Sequence, residues 1–242
     1  MAITTFPMIL KEVRSLTPNT RHFVFHREEG ALEFIPGQFV SIHFEHEGKE
    51  LRRSYSLATI PGVSTEIEFA ASYFKGGPAS ELLFHLKEGT VLQCSGPYGR
   101  LILREEKPAR YFLVATGTGV TPYRAMLPSL KKRLEENPSL KVIVLLGVRD
   151  RNDALYLEDF LSFEKETPGF QFFIHYSREK DTTLAPYERH GYVQTAFQEW
   201  DPKPAEDIFY LCGNPNMIDD SYALLKEKGF TPHSVRREKY VS

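Results

Sequence analysis

Cysteine is nearly absent. Of 242 residues only Cys94 and Cys212 are cysteines, with no Cys-x-x-Cys spacing. A disulfide framework is not expected from such a chain, and a Cys₄ iron–sulfur cluster cannot be assembled within it. An excess of one charge is missing as well. Lys+Arg total 30 against 32 Asp+Glu, a formal net charge of −2, so no basic footprint points to a nucleic-acid partner. Long apolar runs are lacking. Residues 142–147 form one of the longest, far below the roughly 20 residues that span a bilayer. The opening Met1-Ala2-Ile3-Thr4-Thr5-Phe6-Pro7 has neither the basic nor the apolar region of a secretory signal. The 8 histidines form no His-Glu-x-x-His pattern. His43 and His46 fall in a strand-like stretch where they point to opposite sides, so no metal centre is expected. What remains is ordinary globular composition, 41% hydrophobic and 26% charged. The expectation is a cytoplasmic monomer with no nucleic-acid partner and no membrane span.

The chain changes rhythm at its middle. In the first hundred residues, short β-branched or apolar runs at 8–16, 21–27, 38–45, 52–58, 65–73 and 90–95 alternate with Pro/Gly clusters such as Pro36-Gly37, Pro61-Gly62 and Gly76-Gly77-Pro78. That spacing predicts an antiparallel barrel or sandwich, interrupted by one helix at 79–86. The charged stretch Arg104-Glu105-Glu106-Lys107-Pro108 reads as a linker. Beyond it, nearly continuous apolar runs at 111–115, 142–146, 170–176 and 208–211 alternate with helical segments at 121–136, 154–163 and 216–228. Apolar strands alternating with helices predict a parallel sheet covered on both faces. The chain therefore reads as a β domain, residues 1–104, followed by a doubly wound α/β domain, residues 110–242.

Three local patterns carry chemistry. In Thr116-Gly117-Thr118-Gly119-Val120-Thr121-Pro122 a buried strand runs through two glycines into a helix, with Thr121 as expected N-cap and Pro122 at the first helical position. Such a turn lets a phosphate approach the backbone at a helix N-terminus. Pro122 stands where the dinucleotide fingerprint has its third glycine. A tight turn with no ligand is the alternative. In Arg53-Ser54-Tyr55-Ser56, strand alternation puts a cation and an aromatic on one face. That pair suits a phosphate and a planar ring, although an edge arginine beside a core tyrosine explains it equally well. Gly76-Gly77-Pro78-Ala79-Ser80 opens the first domain's helix, again as an anion-binding turn or a plain cap.

The order Arg53-x-Tyr55-Ser56, Gly77-x-x-Ser80, Gly117-x-Gly119-x-x-Pro122 and Cys212-Gly213-x-Pro215-x-Met217, with Leu146-Gly147-Val148 and Leu155-Tyr156-x-Glu158 between, resembles the ferredoxin–NADP reductase superfamily over residues 6–240. The resemblance implies an N-terminal FAD-binding barrel and a C-terminal NADP-binding domain. It implies that Arg53 binds the FAD pyrophosphate, that Tyr55 packs on the isoalloxazine and that Ser56 lies near flavin N5. Gly77, Pro78, Ala79 and Ser80 would form the second pyrophosphate contact. Thr116, Gly117, Thr118, Gly119 and Pro122 would cradle the nicotinamide nucleotide, with Cys212 and Gly213 beside its reactive ring. Ser177 and Arg178 would hold a 2′-phosphate, with Tyr192 and Gln194 at the adenine, although Glu179 and Asp181 stand close enough to neutralise Arg178. Glu238-Lys239-Tyr240 matches the C-terminal Glu-x-aromatic of plant-type members, in which the aromatic covers the flavin. Glu238 and Ser56 would relay a proton, while Val241 and Ser242 extend past the match.

The resemblance thus implies an FAD-dependent enzyme exchanging electrons between NADP(H) and a partner such as ferredoxin or flavodoxin. Reduction of an oxygenase component, a cytochrome, free flavin or a quinone is the alternative. A non-catalytic flavin module fits least, because a mere binder has no use for Cys212 and Glu238.

Overall fold

The computed structural model describes residues 4–240, so Val241 and Ser242 lie outside the described residues. The chain forms two compact units, Met1–Leu103 with Thr121–Met126, and Arg104–Val120 with Leu127–Ser242.

The first unit contains β1 (Phe6–Thr17), β2 (Thr20–His26), β3 (Phe39–His46), β4 (Lys49–Ser56), β5 (Ile67–Ser72), α1 (Pro78–Phe84) and β6 (Val91–Tyr98). The strands pair antiparallel in the order β4-β3-β6-β1-β2-β5. An antiparallel bridge between Leu57 and Phe69 joins the two ends of that sheet into a barrel. Alternation does the sorting. Val40 and Ile42 enter the core with Met8, Phe23, Phe25 and Phe69, while Ser41 points outward to Ser54, with their hydroxyls 3.0 Å apart. Each fully buried aromatic or aliphatic side chain contributes about 1.5–3 kcal/mol. The hairpin between β3 and β4 turns on Glu47 and Gly48, with φ of 52° and 73°. Two left-handed residues match the twist of the flanking strands and fix their register. The register runs from His46↔Lys49 to Phe39↔Ser56, which sets where Arg53, Tyr55 and Ser56 project.

The second unit contains β7 (Arg110–Thr116), α2 (Thr121–Glu136) from Leu127 onward, β8 (Lys141–Val148), α3 (Leu157–Glu166), β9 (Phe170–Tyr176), β10 (Glu188–His190), α4 (Ala196–Trp200), β11 (Asp207–Gly213), α5 (Pro215–Glu227) and β12 (Val235–Lys239). All pairings are parallel, in the order β10-β9-β8-β7-β11-β12. Phe112, Val114, Ile143, Leu145, Phe209 and Leu211 face α4 and α5 in one core. The alternate residues face the other side, where Phe172 stacks on Phe160 of α3 and the Tyr111 hydroxyl accepts from Arg133 of α2. Both faces are covered, which is why these strands read as unbroken apolar runs.

Several expectations change. The helix expected at 154–163 begins three residues later, because a 3-10 turn at Arg151–Asp153 and a left-handed Tyr156 (φ 54°) come first. Thr121 is not the N-cap. A 3-10 turn at Gly117–Val120 already brings the backbone into helical geometry, so Val120 is the cap residue and Thr121 opens α2, moving Pro122 one place inward. A side-chain cap requires a non-helical backbone that Val120 does not offer. The stretch read as a linker is also docked. Glu106 pairs with Arg236 on β12, and its carbonyl accepts from the Tyr111 hydroxyl.

Candidate active site

The flavin-binding candidates lie on β4 and at the head of α1. Tyr55 stacks on Phe69, with ring centroids 4.8 Å apart. Burial pushes its phenol up to about 12, opposed by the positive charge of Arg53. Arg53 is exposed, and among the described residues its guanidinium bonds to the Arg52 carbonyl at 2.8 Å and makes no ion pair, which leaves its charge available to an anion. Ser56 is buried at the end of β4. At α1, Gly77 is the cap residue and no side chain caps the helix. The Ser80 hydroxyl is used locally. It donates toward the carbonyls of Phe74 (2.7 Å) and Gly77 (3.0 Å) and accepts from the Phe74 amide (3.1 Å), which ties the turn closed. The first-turn amides of Ala79 and Ser80 have no intrahelical acceptor, whereas Pro78 has no N–H to give. A side chain on Gly77 would press on Ser80 and Phe74 at 3.0–3.1 Å. One exposed guanidinium and two open amides fit a pyrophosphate, and an aromatic wall fits a planar ring.

The second group lies at the carboxyl ends of β7 and β11. Chain order reverses between these neighbours: β8 lies on one side of β7 and β11 on the other. In open α/β sheets, ligands bind in the crevice at such a reversal. The two strand ends interlock there. A Cβ on Gly119 would fall 2.3 Å from the Cys212 carbonyl oxygen, and one on Gly213 (φ 119°) 2.6 Å from that of Thr116. The Thr116 hydroxyl accepts from the Asn214 amide at 2.9 Å. Gly117, with φ 51°, has open space where its Cβ would be. The two glycines therefore differ: Gly119 permits backbone contact with β11, and Gly117 leaves the room a phosphate needs. Thr118 is partly exposed in the same turn, and the Thr121 hydroxyl is buried without a hydrogen-bond partner. These features fit a dinucleotide. Gly119→Ala should cost about 1–3 kcal/mol through overpacking. The expected result is a Tm lower by about 3–10 °C and weaker NADP⁺ binding at unchanged FAD content, read by thermal melts and titration.

Cys212, Glu238 and Tyr240 are brought together beside that interlock. Cys212 is fully buried, Glu238 sits opposite it in the β11–β12 register, and the Tyr240 amide donates to the Gly213 carbonyl at 2.8 Å. Burial holds the Cys212 thiol well above its usual range. The Glu238 charge adds to that effect, and a hydrogen bond with Tyr240 opposes it. Cys212 is thus a neutral thiol at physiological pH, suited to shaping a site and not to attack.

The third group lies at the ends of β8 and β9. Ser177 and Arg178 are exposed, and the Arg178 amide donates to the Arg149 carbonyl at 2.7 Å. The Ser177 hydroxyl reaches the Val148 carbonyl at 3.3 Å. The acids that threaten Arg178 are engaged elsewhere. Glu179 accepts from the amides of Lys180 (2.8 Å) and Asp181 (3.0 Å), and Asp181 pairs with Arg151 at 2.6 Å. Arg151 also grips Glu188, which holds that carboxyl down at about 2. Arg149 is the residue the sequence reading missed. It is exposed beside Arg178, and neither guanidinium makes an ion pair among the described residues. Only the pairing of β8 with β9 reveals that juxtaposition. Nearby, Tyr192 is two-thirds exposed, and Gln194 donates to Asp220 at 3.5 Å while its side-chain oxygen has no partner.

Two family models match, an oxidoreductase FAD-binding domain over residues 7–102 and an oxidoreductase NAD-binding domain over residues 113–222. Fold, site and models together define a two-domain oxidoreductase that uses FAD and a nicotinamide nucleotide. The chain belongs to the ferredoxin–NADP reductase superfamily, being 31% identical over 244 residues to ferredoxin–NADP reductase B of Sorangium cellulosum, with 97% of each chain covered. It is 29% identical over 238 residues to the reductase component of propane 2-monooxygenase from Mycolicibacterium goodii, covering 96% of this chain and 67% of that one. Among solved structures, a cytochrome P450 reductase of Amycolatopsis is 28% identical, with a TM-score of 0.85 over 100% of this chain and 72% of its own. A ferredoxin–NADP⁺ reductase of Neisseria gonorrhoeae with bound FAD and NADP shares the fold, with a TM-score of 0.85, 99% and 100% coverage and 19% identity.

Proposed function

We propose that the protein is an NADPH-dependent flavoprotein reductase whose partner is a one-electron carrier, ferredoxin or flavodoxin, with FAD held by residues 1–104 and the nucleotide by residues 110–242. The observation that carries this reading is the end-to-end match, 97% of each chain, to a ferredoxin–NADP reductase. FAD held by residues 1–104 would supply hydride acceptance from the nicotinamide and release of electrons one at a time. The chain supplies binding and orientation. Arg53 and the Ala79 and Ser80 amides neutralise the flavin pyrophosphate, and Tyr55 and Ser56 border its ring system. The Thr116–Gly119 turn holds the nucleotide pyrophosphate, while Arg149, Ser177 and Arg178 hold the 2′-phosphate, with Tyr192 and Gln194 at the adenine. Cys212 and Gly213 wall the nicotinamide, and Glu238 and Tyr240 complete that wall. The cytoplasm, where two unpaired thiols stay reduced, is the compartment this reading assigns.

A second reading, reduction of an oxygenase component or a cytochrome, is favoured by the propane monooxygenase and P450 reductase relatives. Comparing kcat/KM for ferredoxin, flavodoxin, a cytochrome and free FMN separates the two. The first reading expects a small carrier to lead. A cytochrome that outruns both carriers favours the second reading, and free FMN in the lead overturns both.

Cys212→Ser keeps the side-chain size and should leave FAD content unchanged. A displaced nicotinamide should slow flavin reduction about 10–100-fold. Stopped-flow traces that match wild type would remove Cys212 from the site.

A further inference from the structure

Among the described residues β12 has one neighbour, β11, and five paired residues. Its sequence, Val-Arg-Arg-Glu-Lys, carries little apolar pattern to hold it in register. Yet its register decides what faces Cys212. A slip of one residue turns every side chain to the opposite face, and would put a lysine or arginine opposite Cys212 in place of Glu238.

The face of β12 that carries Glu238 also carries Arg236, which is buried. The Arg236 guanidinium lies 5.1 Å from the centroid of the Tyr210 ring, donates to the Tyr210 hydroxyl at 3.1 Å and pairs with Glu106. Tyr210 is the β11 residue directly opposite Arg236, two positions before Cys212. Glu106 comes from far away in sequence, and its carbonyl is fixed by the Tyr111 hydroxyl at 3.0 Å, itself held by Arg133 at 2.8 Å. A buried guanidinium is tolerated only where its charge is met. In the observed register Glu106 meets it, and slipping β12 by one residue would carry Arg236 to the opposite face, away from Glu106. On that face Arg237 packs over Tyr222 at 3.8 Å, and Lys239 pairs with Asp219 at 2.7 Å.

We propose that the pairing of buried Arg236 with partly exposed Glu106 is a positioning device that locks the register of β12, so that Glu238 faces Cys212 and Tyr240 reaches Gly213. Fixing register is the best-attested use of a buried polar pair. The proposal rests on the reading that Glu238 and Tyr240 serve the nicotinamide site.

The test uses full-length protein with FAD bound and no nicotinamide nucleotide. Glu106→Leu/Arg236→Met replaces the pair with apolar side chains of similar length, so folding is retained while the register lock is lost; Glu106→Gln removes only the counter-charge. The reading is the rate at which a maleimide labels each cysteine, resolved by peptide mass. The expected result is Cys212 labelling at least tenfold faster in the double variant while the barrel thiol Cys94 stays as slow as in wild type. A parallel stopped-flow measurement should show slower flavin reduction at saturating NADPH, and Glu238→Gln serves as reference. Cys212 labelling within twofold of wild type in both variants overturns the proposal. If Cys94 labels faster too, Glu106→Gln decides by the same criterion. A Glu238→Gln protein that reduces flavin at the wild-type rate overturns the role of Glu238 and leaves the labelling result to judge the pair.

Discussion

Arg53→Ala is expected to emerge from purification colourless or nearly so. Arg53 makes no ion pair among the described residues, and it stands on the face whose neighbour Tyr55 closes the aromatic column with Phe69. A hydrogen bond to a charged group contributes about 1.5–3 kcal/mol, and losing it lowers FAD affinity about 10–100-fold. Arg53→Lys should recover only part of the loss, since an ammonium cannot make the paired contacts of a guanidinium to a phosphate. The barrel should still fold, because Arg53 is exposed and outside the core. Absorbance near 450 nm against protein concentration gives the flavin content directly. A fully yellow Arg53→Ala protein would move the pyrophosphate away from β4.

The second large effect concerns nucleotide choice. Arg149→Ala/Arg178→Ala should lower kcat/KM for NADPH about 10²–10⁴-fold if the two arginines contribute independently, at roughly 1.5–3 kcal/mol each. Two groups sharing one phosphate can fall short of that sum, so the single variants belong in the experiment. Activity with NADH should change little, which separates loss of phosphate recognition from damage to the sheet edge. Equal losses with both nucleotides would mean that the arginines hold the loop and do not read the phosphate.

The sequence exposes the elements that bury a periodic or continuous apolar pattern. Residues 111–115, 142–146 and 170–176 announce β7, β8 and β9 because both faces of each strand are covered. It hides the elements whose stability comes from partners distant in the chain. β12 looks like a charged tail, since the burial of Arg236 depends on Glu106, 130 residues away. β10 is three residues long, and its buried Glu188 is held by Arg151, the Tyr176 hydroxyl and the Ala185 amide. Likewise, the motif Gly117-x-Gly119 suggests two equivalent glycines. Only the strand order shows that one faces open space and the other touches β11. Arg178 was legible from its motif. Arg149 was not, because nothing along the chain joins two residues that meet by strand pairing.

That pairing also separates tasks within one sheet. Neighbouring strands lie about 4.8 Å apart, so the end of β9 stands about 10 Å from that of β7, and β11 lies on the far side of β7. The residues that would choose between nucleotides thus belong to a different pair of strands from Thr116, Gly119, Cys212 and Gly213. On the proposed assignment, preference for the phosphorylated or the plain cofactor would be set by short solvent-facing loops that lie apart from the residues proposed to wall the nicotinamide. A lineage built on this sheet can change its reducing currency long before it changes its chemistry.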